Sequence, residues 1–324
     1  MINRIFWGYG VTAVVIAIDI GGTGMKCALV DRQHAILHSE RHATGADRGP
    51  SAVVETILAV AAGLAETARA AGLEPIAVGL AAPGVIDETN GVAVWSANVG
   101  FRDVPLRDLV SAHVGLPAAL GHDVRAGGLA EARLGAGRDR ARVWFVPIGT
   151  GIAAAYVVNG RTDPGAHGAS GEIGHVVVRP DGPPCGCGSR GCVEAIASAS
   201  AVGRRYAERT GITATARDVV ERATAGEPDA IAIWDETIDA LADGLRIGIT
   251  LHDPDTIIIG GGLAEAGAAL LEPLADAVRG RLTFQTMPSV VRAALGDEAG
   301  CLGAALLGLE AASIDPSADR GDLA

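Results

Sequence analysis

A glycine turn set between two apolar runs occurs twice in this chain, and the repetition limits what the chain can fold into. Residues 13–31 read AVVIAIDIGGTGMKCALVD, and residues 141–160 read ARVWFVPIGTGIAAAYVVNG. Each reads as strand, turn, strand, with the glycines placed where the backbone must reverse. Residues 51–73, SAVVETILAVAAGLAETARAAGL, are rich in Ala and Leu with helical period. PIAVGLAAPG (75–84) reads as a buried strand closed by Pro83 and Gly84. LPAALGHDVRAGGLAEARLGAG (116–137) reads as a short strand passing into a helix after Asp123, with Asp123 a candidate N-cap. DPDTIIIGGGLAEAG (253–267) reads as a strand ending in three glycines, followed by a helix. Strands alternating with helices predict an α/β protein, and 324 residues suffice for two domains of ordinary size.

The net charge of −12, without a run of Lys or Arg, argues against nucleic acid as a partner, because phosphate binding needs local positive charge. The N-terminus is largely apolar from Ile5 to Ile18, but Asp19 interrupts the run before spanning length and no small-residue cleavage site precedes it. Ala13 to Ile18 therefore read as a buried strand, and residues 1–10 as a short extension rather than a signal peptide. No other stretch reads as apolar for long enough to cross a bilayer. The expectation is a cytoplasmic protein with no membrane partner, in a compartment where stable disulfides are rare.

That compartment changes the meaning of the cysteines. Three of the five fall in CGCGSRGC, residues 185–192. Zinc takes four N or S ligands in a tetrahedron. Cys185, Cys187 and Cys192 supply three, and His175, ten residues upstream, is the candidate fourth. The alternative is a cysteine-rich turn that holds no metal. Cys27 and Cys301 stand alone and read as small buried residues. The turns DIGGTG (19–24) and PIGTGI (147–152) expose backbone N–H groups able to cradle phosphate. Gly260, Gly261 and Gly262 precede a predicted helix, whose N-terminus favours an anion or a nucleotide. Neither a Walker A loop nor a dinucleotide-type G-x-G-x-x-G follows the first strand.

Taken together, AIDIGGTGMK, GEIGH and CGCGSRGCVEAIAS resemble the signature of the ROK sugar kinases and repressors, and the resemblance runs from about residue 13 to about residue 312. It implies two actin-like (ribonuclease H-like) α/β domains with a nucleotide and a sugar in the cleft between them. Residues 1–120, joined by a C-terminal helix near 300–312, would form the first. Residues 121–299, with the zinc site, would form the second, and 313–324 a polar tail. The resemblance also implies ATP and Mg2+ at Asp19, Gly21, Gly22, Thr23, Thr150 and Gly151. It implies a structural Zn2+ on His175, Cys185, Cys187 and Cys192, and a homodimer. Glu172, His175 and Glu194 would reach sugar hydroxyls, with Gly84 and Asn98 lining the same site. A carboxylate suits a sugar because each oxygen accepts a hydroxyl proton, and a histidine can bind metal through one ring nitrogen while the other meets the sugar. Glu194 could instead be a first-turn helix charge.

The family's aspartate base falls on Asp123. Many family kinases read Asn-Asp-Ala-Asn there, whereas this chain reads His122-Asp123-Val124-Arg125, so a neighbour that would touch sugar is His122. The expected function is ATP-dependent phosphorylation of the 6-hydroxyl of an aldohexose, glucose or N-acetylglucosamine. The alternatives are an N-acetylmannosamine kinase, or a sugar-sensing regulator of the same family. The 18 residues before Asp19 are too few for a DNA-binding domain. A non-catalytic sugar-binding protein is disfavoured by Asp19, Asp123 and the glycine turns.

Overall fold

β1 (Ala13–Ile20) is apolar on both faces, and the computed structural model shows why: Val14 to Ile18 are fully buried at the centre of a sheet. A strand covered on both sides reads as an unbroken apolar run rather than an alternating one. The structure describes residues 11–313. The extension expected at 1–10 and the tail expected beyond Ser313 lie outside the described residues.

The chain divides into two units, Met1–Ala126 with Gly300–Ala324, and Gly127–Ala299. In the first, β2 (Gly24–Asp31) and β3 (Ile36–Ala43) follow β1, then α1 (Pro50–Ala70) and β4 (Glu74–Ala82). The short strands β5 (Val85–Asp87), β6 (Val92–Trp95) and β7 (Arg102–Val104) make a small antiparallel sheet of their own. α2 (Leu106–Val114), β8 (Ala118–His122) and the start of α3 (Asp123–Arg133) complete the unit's first segment. The main sheet runs β3-β2-β1-β4-β8, with β2 antiparallel to β1 and to β3, and β4 parallel to β1 and to β8.

The second unit repeats this plan. β9 (Arg142–Pro147), β10 (Ala155–Val158) and β11 (Arg161–Thr162) form the antiparallel part. After α4 (Val193–Ala197), α5 (Ala199–Thr210), α6 (Ala216–Thr224) and α7 (Pro228–His252), β12 (Thr256–Gly260) pairs parallel with β9. α8 (Ala268–Arg279) leads to β13 (Ser289–Arg292), and the order is β11-β10-β9-β12-β13. The two strand–turn–strand motifs of the sequence are the hairpins that open the two sheets. The chain is thus a mixed α/β protein with the two-domain actin-like fold.

Two expectations change. The helix expected directly after Gly260–Gly262 is a single 3-10 turn, Gly262–Ala266, and α8 starts only at Ala268. Gly261 (φ 74°) and Gly267 (φ 56°), at the ends of that turn, take conformations that do not propagate a helix. Also, α1 is long and apolar enough to span a bilayer by length and composition alone, which the sequence reading passed over. Its stripe Val53, Ile57, Val60, Ala61, Leu64 belongs to the buried core of the first unit, which is how an amphipathic core helix is used.

α9 (Ala299–Ser313) returns to the first unit and packs on its sheet at very short range. A Cβ on Gly79 of β4 would lie 1.7 Å from the Ala304 carbonyl oxygen. Gly79→Ala is therefore expected to force helix and sheet apart, at a cost of about 1–3 kcal/mol or more. Scanning calorimetry should show a drop in Tm of about 2–4 °C per kcal/mol in a unit of this size. An unchanged melt would mean that α9 is not seated on β4.

Candidate active site

In the first unit the turn after β1 is tight. The Gly21 N–H donates to the Gly24 carbonyl at 2.9 Å. Thr44, fully buried, braces it from outside, its hydroxyl donating to the Gly21 carbonyl at 2.6 Å and its N–H to that of Thr23 at 3.1 Å. Nothing in the local sequence around Thr44 marks this role. Asp19 sits half-buried near the end of β1, its carboxylate against Gly300, where a Cβ would come within 2.2 Å of Oδ2. Gly300 lies in the first turn of α9, whose free N–H groups favour a negative charge.

Asn98 is exposed and lies beside the same turn, its Cβ 3.3 Å from the position a Cβ would take on Gly22. Gly84 has φ 109°, and a side chain there would strike the Trp95 carbonyl oxygen at 2.2 Å. Only glycine fits that conformation and that approach. The Asp19 turn and Asn98 therefore share one corner of the unit, and Gly84 touches the strand that leads to Asn98.

β8 delivers His122 and Asp123 to the start of α3. His122 is 7% exposed, and its Nδ1 lies 3.4 Å from Asp123 Oδ1. Burial first, then the Arg125 cation, depress the His122 imidazole to about 4, so it is neutral at neutral pH. The Asp123 side chain is about one-third exposed. Desolvation of the carboxyl still pushes it up from the ordinary value, against the Val124 backbone hydrogen bond and Arg125. Oδ1 accepts from the N–H of Val124, the very next residue, at 2.7 Å. An N-cap side chain accepts from the second or third helical residue, whereas this bond runs to the immediate neighbour of Asp123. Sequence reasoning also missed Glu88, whose Oε1 accepts from the His122 N–H and from Arg125 Nε.

In the second unit the turn after β9 and the three glycines that end and follow β12 lie side by side. The Ile148 N–H donates to the Gly260 carbonyl at 2.9 Å, and the Leu263 N–H to that of Ile148 at 3.0 Å. The β9–β12 pairing thus joins two glycine runs more than a hundred residues apart. Thr150 is exposed at the tip of the turn. Glu194, in the first turn of α4, accepts from the Ile152 N–H at 2.8 Å and packs on Gly151. It supports the Thr150–Gly151 turn as well as carrying a first-turn charge.

A cavity of about 630 Å³ opens here, lined by Ala199, Val220, Leu263, Ala266 and Ala269 together with Arg217 and Glu221. A groove of about 320 Å³ holds Gly260, Gly261, Arg292, Gly296 and Asp297. Gly262 and Glu265 line both spaces. Glu131, fully buried on α3, pins the chain leading to Gly296 by accepting from the N–H groups of Ala294 at 3.1 Å and Leu295 at 2.7 Å. The sequence carried no sign of that bond.

The loop after β11 folds back on itself to gather the cysteines. Val177 bridges Cys192 and Pro184 bridges Arg190, while the Cys185 N–H donates to the Ser189 carbonyl at 2.8 Å. His175 Nδ1 lies 3.6 Å from Cys185 Sγ, and Cys187 Sγ lies 3.7 Å from Cys192 Sγ. All four ligand atoms fall within 4.8 Å of one another. Zn–S bonds of about 2.3 Å and Zn–N bonds of about 2.0–2.1 Å in a tetrahedron put ligand atoms about 3.5–3.8 Å apart, so the donor set fits zinc. The Ser189 backbone N–H and the neighbouring thiols hold Cys187 down to about 7, whereas burial pushes Cys192 up to about 12. The other His175 nitrogen, Nε2, faces Glu172 Oε2 at 3.8 Å. Cys27 and Cys301 are both buried, as small core residues would be.

The sequence model of the ROK family matches residues 15–311 of the chain. A glucokinase of Thermotoga maritima is 35% identical over 316 residues, covering 90% of this chain and 96% of its own length. Among solved structures, a ROK hexokinase from Thermus thermophilus superposes with a TM-score of 0.81 at 33% identity, over 92% of this chain and 98% of its own. A ROK family glucokinase from Streptomyces griseus, solved in complex with glucose and AMPPNP, superposes with a TM-score of 0.78 at 32% identity, over 92% of this chain and 99% of its own.

Proposed function

We propose, from the premise that the chain belongs to the ROK family, that it phosphorylates the 6-hydroxyl of an aldohexose, glucose or N-acetylglucosamine. It is an ATP-dependent hexose kinase. The observation that carries the ATP side is the two-part space of the second unit, a cavity of about 630 Å³ with apolar walls at Val220, Leu263 and Ala269 and polar ones at Arg217 and Glu221, sharing Gly262 and Glu265 with a glycine-lined groove. A nucleotide needs such a pair, an apolar slot for its base and exposed backbone N–H groups for its phosphates. Thr150, Gly151, Gly260, Gly261 and Gly262 would supply the N–H groups, as would Gly21, Gly22 and Thr23 in the first unit. Asp19 would hold the Mg2+ that accompanies ATP, an ion that offsets charge on the phosphate oxygens.

Asp123 would accept the proton of the 6-hydroxyl as that oxygen bonds to the γ-phosphorus. The bond from the γ-phosphorus to the β–γ bridging oxygen breaks, and ADP leaves. Gly84, Asn98, His122, Glu172, His175 and Glu194 would orient the sugar. His122 would serve as a neutral hydrogen-bonding group rather than a cation, since burial and Arg125 hold its titration far below neutral pH. We place the protein in the cytoplasm, where ATP and free hexoses meet.

A coupled assay for ADP release over a panel of hexoses tests this reading. Glucose and N-acetylglucosamine share hydroxyls at C3, C4 and C6 and differ at C2, so turnover of one or both is the expected result. A clear preference for N-acetylmannosamine would shift the assignment to that sugar. No turnover with any hexose would overturn the function.

A further inference from the structure

Glu88 lies in the connection between β5 and β6, and a single oxygen of its carboxylate takes two hydrogen bonds. Oε1 accepts from the His122 backbone N–H at 3.1 Å and from Arg125 Nε at 2.7 Å. Those donors stand one residue before and two residues after Asp123. The Arg125 side chain is 4% exposed and that of Glu88 is 23% exposed. β8 is the edge strand of its sheet, so N–H groups not directed at β4 must find another acceptor, and for His122 the Glu88 side chain is that acceptor.

A buried ion pair gains little over apolar residues of the same size, so stability is a weak reason for one to exist. What it provides is direction, because charge-assisted hydrogen bonds are short and geometrically strict. Position 125 is also one of the three at which the chain departs from Asn-Asp-Ala-Asn, and an arginine cannot be buried there without an acid beside it.

We propose that Glu88 and Arg125 are positioning residues for phosphoryl transfer, an ion pair with its arginine buried that sets the Asp123 carboxylate by holding the chain on both sides of it. The inference rests on the kinase reading above. A displacement of about 1 Å at a reacting group can cost about a hundredfold in rate, so the pair should be visible in kcat rather than in binding.

The test uses the full chain with Glu88→Gln, Arg125→Gln and the double variant, each melted and assayed beside the wild type. The expected result is a loss of at least about tenfold in kcat, with KM for sugar and for ATP within about twofold of the wild type. The double variant should be no slower than the slower single one, since both act through one contact. A single variant leaves one buried charge unpaired and can fail to fold; the double variant carries neither charge and then supplies the reading on its own. Wild-type kcat in a folded variant, losses that multiply in the double, or a change confined to KM would each overturn the positioning role. An inactive wild type would instead defeat the kinase reading, and the positioning role with it.

Discussion

Asp123→Asn is expected to lower kcat at least about a hundredfold while sugar and ATP still bind, because general-base catalysis contributes about 10²–10⁴-fold. That range is about 3–5 kcal/mol of barrier, at about 1.36 kcal/mol per decade. Phosphoryl transfer leaves the protein little covalent work beyond positioning and charge stabilisation. The sugar hydroxyl must nevertheless lose its proton as it attacks. Asparagine keeps the size of the side chain and an oxygen for the Val124 N–H, but it cannot take that proton.

The surroundings of Asp123 raise its pKa. The acid limb of the kcat profile should therefore lie above the ordinary aspartate value of about 3.9. The same shift has a consequence for stability. A folded-state pKa above the unfolded one means that the native state holds more protons between the two values. Stability then falls as pH rises through that window, and the ionised form is a net cost at neutral pH. Asp123→Asn should accordingly melt no lower than the wild type at pH 7. Near-normal kcat in a folded Asp123→Asn would remove Asp123 from the chemistry and direct attention to His122.

Loss of the metal is the second large effect expected. One zinc per chain should co-purify, and Cys187→Ser should lose both the metal and several kcal/mol of stability, since binding in such sites is coupled to folding. The loop at 177–192 carries two isolated strand bridges, Val177–Cys192 and Pro184–Arg190, and the ion would add a tie between His175 and the three thiols. Thiols must give up their protons to ligate, and burial holds that of Cys192 up to about 12 in the absence of metal. Zinc binding should therefore release protons and tighten with pH, by about tenfold per pH unit for each proton displaced. Chelator competition at two pH values reads this directly. Active, purified protein without zinc, or Cys187→Ser with an unchanged melt, would sink the prediction.

Much of the molecule is readable along the chain. The two hairpins that open the sheets, the helix at 50–70 and the strand before Gly260 all follow from the spacing of apolar residues and glycines, which neighbours in sequence decide. The cysteine cluster is equally local, because eight residues and one upstream histidine contain the whole donor set. The 3-10 turn at Gly262–Ala266 escaped, because glycine conformations at 261 and 267 depend on where the chain must go next.

What only the tertiary structure decided is which distant group meets which. Thr44 reaches Gly21 across 23 residues, Glu88 reaches Arg125 across 37, and Glu131 reaches Ala294 across 163. Each is an ordinary polar residue in its own stretch, with no spacing or periodicity to mark it. Periodicity follows from the geometry of one strand or one helix, so the sequence by itself determined the two hairpins, the helix at 50–70, the glycine turns and which four residues form the Cys3His cluster. A buried donor's acceptor depends on strand order and helix packing, so the bracing of Asp123 and of the glycine turns was set only when the sheets closed and left those N–H groups without water.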